Sequence, residues 1–206
     1  MKENTVETFI NTDGPSSSSV RRVRTSDAAQ IAEIYGISVL HTAFTFDVEP
    51  PSAEEISSRI EKLSSQKPWL VMEFEGEVAG YAYASSHRER AAYQWAVEVS
   101  IYVSQKFQRQ GVAKTLYKML LPILKAQGFC KAYAGITLPN KPSVSLHEFF
   151  GFTHLGTYQD VGYKLGKWHN VGWWELTLNR PAVAPQPPLC FAELLQQGNY
   201  GLATID

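Results

Sequence analysis

Glu98 is the one charged residue in the run 95–103, and that run leads through the polar loop Gln108-Arg109-Gln110-Gly111-Val112-Ala113 into a helical pattern. A carboxylate flanked by Val97 and Val99 serves packing poorly, because a buried charge without a partner is costly. On a strand Val97 and Val99 share one face, and Glu98 shares the other with Ser100 and Tyr102. Glu98 is therefore a candidate general base, the plainer alternative being a charge on a solvated sheet face. The loop that follows has the order of an anion cradle. N–H groups of the loop and of the first helical turn lack intrahelical partners, and the helix dipole leaves that end positive. Gly111 and Ala113 are small enough for a phosphate to approach the main chain, and Arg109 and Lys114 add charge on either side. The spacing excludes two familiar phosphate sites. A P-loop needs Gly immediately before its Lys-Thr pair, where this chain has Ala113 before Lys114-Thr115, and a dinucleotide fold needs G-x-G-x-x-G.

Other residues fit supporting roles. His147 follows Val144 and Leu146 and precedes Phe149 and Phe150, so it reads either as an acid–base group or as a packed histidine. Arg88 and Arg90 fall on one side of an extended segment, where two guanidiniums clamp an oxyanion; a solvated pair beside Glu89 is the alternative. His41, His87, His154 and His169 show neither the i,i+4 pairing nor the carboxylate spacing of a metal site, so no metal is expected. Cys130 and Cys190 are too few for a disulfide framework and read as reduced thiols outside any nucleophile setting.

These groups must be positioned by one domain's worth of elements. The chain has 206 residues, 44% of them apolar, and a formal net charge of −1. That balance gives no general electrostatic case for nucleic acid or an anionic membrane. No apolar run reaches the roughly 18–20 residues that span a bilayer, and the polar start lacks a secretory core, so a cytoplasmic protein is expected. Residues 1–19 end in four serines and read as a disordered leader, 20–180 as the folded domain, and 181–206 as a Pro-rich tail outside the core.

Within the domain, residues 20–24 read as a strand, and Ser26-Asp27 as the N-cap of a helix with Ile31, Ile34 and Val39 inward. Ser52-Ala53-Glu54-Glu55 is a capping-box pattern ahead of Ile56, Ile60 and Leu63. Residues 69–74 and 78–85 form a hairpin about Glu75-Gly76-Glu77. The cradle helix carries Val112, Leu116, Met119 and Ile123 on one face and stops at Gly128. Pro122 inside it is expected to kink it, at a cost of about 3 kcal/mol unless packing compensates. Strands at 130–137, 153–164 and 168–178 surround a short helix opened by Asn140-Lys141-Pro142-Ser143. The alternation gives one α/β domain with a mixed sheet.

Over residues 20–180 the chain resembles the phosphinothricin N-acetyltransferases of the GNAT superfamily. The likeness is carried by Gln108 to Ala113, the pyrophosphate pattern Q/R-x-x-G-x-G/A, and by the stretch from Asn140 through His147 to Phe152. It is carried further by the stretch Tyr93-Gln94-Trp95-Ala96-Val97-Glu98 and by the late stretch containing Trp168. The resemblance implies a mixed, mostly antiparallel sheet that splays between its two central strands, with acetyl-CoA in the notch. It implies that Ile101, Tyr102 and Val103 bond the pantetheine arm and that Arg109, Gln110, Gly111, Val112, Ala113 and Lys114 hold the diphosphate, with Asn140 touching the cofactor. Glu98 and His147 match the family's catalytic positions. Arg88, Arg90, Tyr93 and Phe46 match positions that grip an amino-acid-like substrate, and the family is generally homodimeric. Arg88 departs from the Lys common in relatives; Pro122 and the tail depart from the common pattern. The implied activity is acetyl transfer from acetyl-CoA to the α-amine of phosphinothricin. Methionine sulfoximine or another amino acid is an alternative acceptor, and a non-catalytic acyl-CoA-binding sensor an alternative of another class.

Overall fold

The computed structural model describes residues 18–198 and the backbone of residues 8–11. Among these, eight strands form one sheet in the order β1-β2-β3-β4-β5-β6-β8-β7. The strands are β1 (Thr8–Asn11), β2 (Ser18–Arg22), β3 (Trp69–Phe74), β4 (Glu77–Ser86), β5 (Ala96–Val103), β6 (Lys131–Leu138), β7 (Thr153–Lys164) and β8 (Lys167–Thr177). Every neighbouring pair is antiparallel except β5 and β6, so the sheet is mixed and mostly antiparallel as expected.

Helices α1 (Ala28–His41) and α2 (Ala53–Leu63) cover one face, while α3 (Val112–Gln127), α4 (Lys141–Phe149) and α5 (Phe191–Gln197) cover the other. The 3.6-residue period explains the inward stripes. Ile31, Ile34 and Val39 of α1 are buried, as are Ile56 and Ile60 of α2 and Val112, Leu116, Met119 and Ile123 of α3. The capping box forms as the sequence suggests: Glu55 N–H donates to Ser52 Oγ at 3.2 Å, and Ser52 N–H to Glu55 Oε2 at 2.7 Å. Gly128 ends α3 at φ 96°, in the left-handed region that favours glycine. The same helix runs unbroken through Pro122, whose neighbours Leu120, Leu121, Ile123 and Leu124 are all buried.

Three expectations need correction. The leader is not wholly without structure: Thr8–Asn11 pairs with β2, and Ser18 and Ser19 belong to β2 itself. Residues 1–7 and 12–17 lie outside the described residues. Asp27 precedes α1 but does not cap it with its side chain. Its carboxylate instead takes both Nη atoms of buried Arg21 at 2.8 Å, while Arg21 Nε donates to Glu73. A bidentate pair inside the fold outweighs one cap bond. The tail, finally, belongs in part to the core. Leu189 N–H donates to Gln127 O and Phe191 N–H to Gln66 O, and Phe191 and Leu194 are buried in the cluster beneath α3. The prolines set an extended approach, and α5 then fills the gap between α3 and the segment after α2. Residues 199–206 lie outside the described residues.

Phe191→Ala is expected to lower unfolding stability by about 3–5 kcal/mol, the usual range for emptying a buried phenylalanine site. Urea unfolding checks this; a loss under about 1 kcal/mol would show that the segment only leans on the core.

Candidate active site

The site begins where the two parallel strands part. β5 and β6 pair only at Ala96–Lys131, Val97–Ala132 and Glu98–Tyr133, although both strands run on to Val103 and Leu138. Beyond Glu98 the facing edges diverge into a cleft of about 740 Å³, lined by residues 99–103 of β5 and 134–137 of β6. Backbone groups that a sheet neighbour would pair are left facing this space. Gly80 of β4 lets the layers close beneath it: a Cβ there would meet Tyr102 O at 2.8 Å and Val112 Cγ1 at 2.9 Å.

One end of the cleft is the start of α3. The first intrahelical bond runs from Thr115 N–H to Gly111 O, so Val112, Ala113 and Lys114 present free N–H groups. Arg109 (φ 63°) and Gly111 (φ 84°) both lie in the left-handed region and curl the loop ahead of the helix. No acidic side chain occupies the first turn, and Lys114 Nζ rests 4.2 Å from the Phe149 ring centroid. The arrangement suits a bulky anion. Asn140 lines the cleft and also caps α4, its Oδ1 accepting from Ser143 N–H at 3.2 Å.

Glu98 stands at the last paired position of β5, on the opposite face from buried Val97 and Val99. Its Oε1 is 2.9 Å from His87 Nδ1 and 3.2 Å from Arg88 Nη1. A carboxylate only accepts, so His87 carries its proton on Nδ1. The imidazole stacks on Tyr133 with ring centroids 4.4 Å apart, and meets Tyr93 and Trp173 edge-on. Arg88 lies over Trp173 at 5.9 Å and donates to His87 O.

His147 sits on α4 at the cleft wall, 3% exposed. Its Nδ1 lies 2.8 Å from Ser143 O, which only accepts, so Nδ1 bears the proton and Nε2 accepts from Tyr117 O–H at 3.0 Å. Burial pushes this imidazole below its ordinary value, and the bond to Ser143 opposes that shift without cancelling it.

A cleft between splayed parallel strands, closed by a helix start, is a fold-level signature, and the acetyltransferase (GNAT) domain family matches residues 20–173. The chain belongs to this family. This GNAT acetyltransferase is 43% identical over 168 residues to the phosphinothricin N-acetyltransferase of Streptomyces viridochromogenes, covering 82% of this chain and 91% of that protein. It is 30% identical to the L-methionine sulfoximine/L-methionine sulfone acetyltransferase of Salmonella typhimurium, covering 80% and 96% of the two chains. Its structure is also similar to that of a GNAT superfamily phosphinothricin acetyltransferase from Sinorhizobium meliloti in complex with AcCoA. The TM-score is 0.78 at 32% identity, over 85% of this chain and 98% of that one.

In this acetyltransferase Ile101, Tyr102, Val103, Arg109, Gly111, Val112, Ala113, Lys114, Asn140 and His147 all line the main cleft. Gln110 does not; its side chain turns back to donate to Lys106 O. Arg88, Arg90 and Tyr93 come together in a second, smaller pocket of about 220 Å³, which Lys67 and Cys190 also line. Within this group Arg88 also donates to Glu98 at 3.2 Å. Phe46 is away from both pockets, against Gly162 and His169 of the β7–β8 hairpin. From sequence, His87 is weighed only as a metal ligand, and Tyr133, Trp173 and Tyr117 are given no role. Ser85 lies opposite Glu98 in the β4–β5 pair, so His87, two residues on, is a diagonal neighbour of Glu98 on the same face.

His147 sets a pH dependence whose sign follows from its depressed value. The unfolded chain binds a proton near the ordinary 6.5, whereas the folded chain binds it only at lower pH. In that window the unfolded state holds more protons, so stability falls as pH drops through 6.5 and below. His147→Gln is expected to flatten the fall, measured as urea midpoints between about pH 7 and 5. Parallel curves for the two proteins would contradict the buried neutral imidazole.

Proposed function

We infer that this enzyme transfers the acetyl group of acetyl-CoA to the α-amine of phosphinothricin or a close amino-acid analogue, directly and within a ternary complex. The observation that carries the reading is the position of Glu98. It is the last residue of β5 paired with β6 and stands one residue before Val99–Val103, which line the cleft, so a carrier lying along β5 points its acyl end toward this carboxylate. The similarity to a phosphinothricin N-acetyltransferase supports the acceptor, and the acetyl-CoA bound to the Sinorhizobium meliloti relative supports the donor.

The residues divide the work. Free amides of Val112, Ala113 and Lys114, with Arg109, hold the diphosphate. Main-chain groups of Ile101, Tyr102 and Val103 hold the pantetheine arm, and a strand amide polarises the acetyl carbonyl. The acceptor's ammonium lies at Glu98 and its anionic groups at Arg88, Arg90 and Tyr93, which suits an amino acid whose charges are close together. Glu98 draws off the ammonium proton, directly or through an attached group, because an amine attacks only with a free lone pair. The amine nitrogen then bonds to the carbonyl carbon, the C–S bond breaks, and the second N–H proton of the adduct passes to the departing sulfur, giving the amide and coenzyme A. His147 acts as an orienting group, since both ring nitrogens are engaged. Holding both reactants supplies much of the acceleration.

The similarity to methionine sulfoximine acetyltransferases favours that compound as a second acceptor, because it shares the carboxylate, the amine and a tetrahedral polar centre. Release of coenzyme A, followed with a thiol reagent across a panel of amines, separates the readings. Turnover with phosphinothricin is expected, and Glu98→Gln is expected to lower kcat by about 10²-fold or more. Thiol release with no amine in the panel would overturn the acceptor assignment, and near-normal kcat in Glu98→Gln would remove Glu98 from the chemistry.

A further inference from the structure

We propose that the proton acceptor of this enzyme is a dyad in which Glu98 fixes His87 and His87 Nε2 takes the proton from the substrate ammonium. The inference rests on the acetyl-transfer reading above and assigns a step within it.

Three observations carry it. Glu98 Oε1 lies 2.9 Å from His87 Nδ1, and an ionised carboxylate has no proton to give, so Nδ1 holds the hydrogen. A neutral imidazole protonated at Nδ1 has its lone pair at Nε2, and that nitrogen makes no hydrogen bond among the described residues. The ring is held in place: it is stacked on Tyr133 at 4.4 Å, with Tyr93 and Trp173 at its edges, and its side chain is 15% exposed. His147, which lines the cleft, has no such vacancy, because Tyr117 occupies its Nε2. A fixed, half-enclosed imidazole with one free acceptor nitrogen, beside a carboxylate that stabilises its cationic form, is the arrangement of a general base.

The chemistry favours imidazole over carboxylate. A proton must leave an ammonium near neutral pH, and the best acceptor has a value close to the working pH; imidazole lies nearer to it than a carboxylate does. In the step, an N–H bond of the ammonium breaks, its electron pair stays on the nitrogen, and a new N–H bond forms at His87 Nε2. The resulting imidazolium lies against the Glu98 carboxylate and returns its proton to water after the product leaves. The charged and titratable groups around the ring are Glu98 on β5, Arg88 beside it, Tyr93 and Tyr133. Tyr93 lies at one edge, and Tyr133 on β6 is neutral, its phenol pushed up by burial. Beyond Tyr133 lies the Lys131–Glu175 ion pair, whose two charges offset each other.

The variant that isolates the base is His87→Asn. Its amide nitrogen can keep the donor to Glu98 Oε1, but nothing remains to accept a proton at the Nε2 position. With phosphinothricin and acetyl-CoA at neutral pH, kcat is expected to fall by about 10²-fold, with KM for acetyl-CoA within about twofold of the parent. The deficit is expected to shrink as pH rises and free amine accumulates, and added imidazole is expected to restore part of the rate in His87→Gly. A deficit that is constant with pH and indifferent to imidazole, or no deficit at all, would overturn the proposal. Imidazole ¹⁵N NMR of the parent decides the dyad independently of any acceptor. Nδ1 should stay protonated while Nε2 titrates, and Glu98→Gln should disturb that tautomer. A ring protonated at Nε2 in the parent would overturn the dyad even if turnover were robust. Absent turnover with the expected tautomer intact would fault the acceptor reading instead.

Discussion

β5 loses its neighbour after Glu98, and the rest of the site follows from that parting. A parallel pair that continued to Val103 would consume the strand's backbone groups and close the cleft. Stopping the ladder after three residue pairs leaves a row of polar main-chain groups beside an apolar wall, which is energetically tolerable only where a ligand or water completes them. The sheet bears this interruption because both strands are paired fully on their other edges, β5 with β4 from Val97 to Val103 and β6 with β8 from Lys131 to Leu138. Clusters above and below then fix the opening, α3 with α4 and α5 on one face and α1 with α2 on the other.

The period of the strand distributes the work. Val97 and Val99 anchor β5 in the α3 core, while Glu98, Ser100 and Tyr102 face the α1 side. That side is lined by tyrosines: Tyr102 stacks on Tyr81 and meets Tyr35 edge-on. Burial holds the Tyr81 and Tyr102 phenols well above the usual range and pushes Tyr35 up to about 12, so the wall stays neutral under working conditions. Tyr35 O–H donates to Asp47 at 2.8 Å, which ties the loop after α1 against this wall. Besides Asp47, the charged groups nearest β5 are Arg109 and Lys114 at the start of α3 and the Glu98–Arg88 pair beside His87.

Local signals were legible in the sequence, and long-range ones were not. Ser52 and Glu55 cap α2 through contacts three residues apart, and Gly128 stops α3 through its own backbone angle, so both could be read directly. The alternation around Glu98 correctly separated its face from that of Val97. Other features depend on distant partners. Asp27 had the composition of a cap, but Arg21 claimed it. The proline run before Leu189 resembled a free linker, yet Phe191 finds its burial against residues far back in the chain. Thr8–Asn11 became a strand only because β2 offered an open edge. At the site, the cradle was legible because its loop and helix are contiguous. The partnership of His87 with Glu98 was hidden, since it needs the β4–β5 register and the stacking surface of Tyr133 on a third strand. His147 lines the cleft, but its engagement by Tyr117 depends on the packing of α3 against α4, which no local pattern shows.

The central claim is that the unpaired amides before and within the first turn of α3 grasp a diphosphate and thereby align a thioester along β5. Calorimetric titration with coenzyme A and with pantetheine, which carries the thiol arm but no phosphate, tests it most directly. Coenzyme A should bind at least about 10²-fold more tightly, a difference of about 2.7 kcal/mol. Equal affinity for the two, or no binding of coenzyme A, would contradict the account.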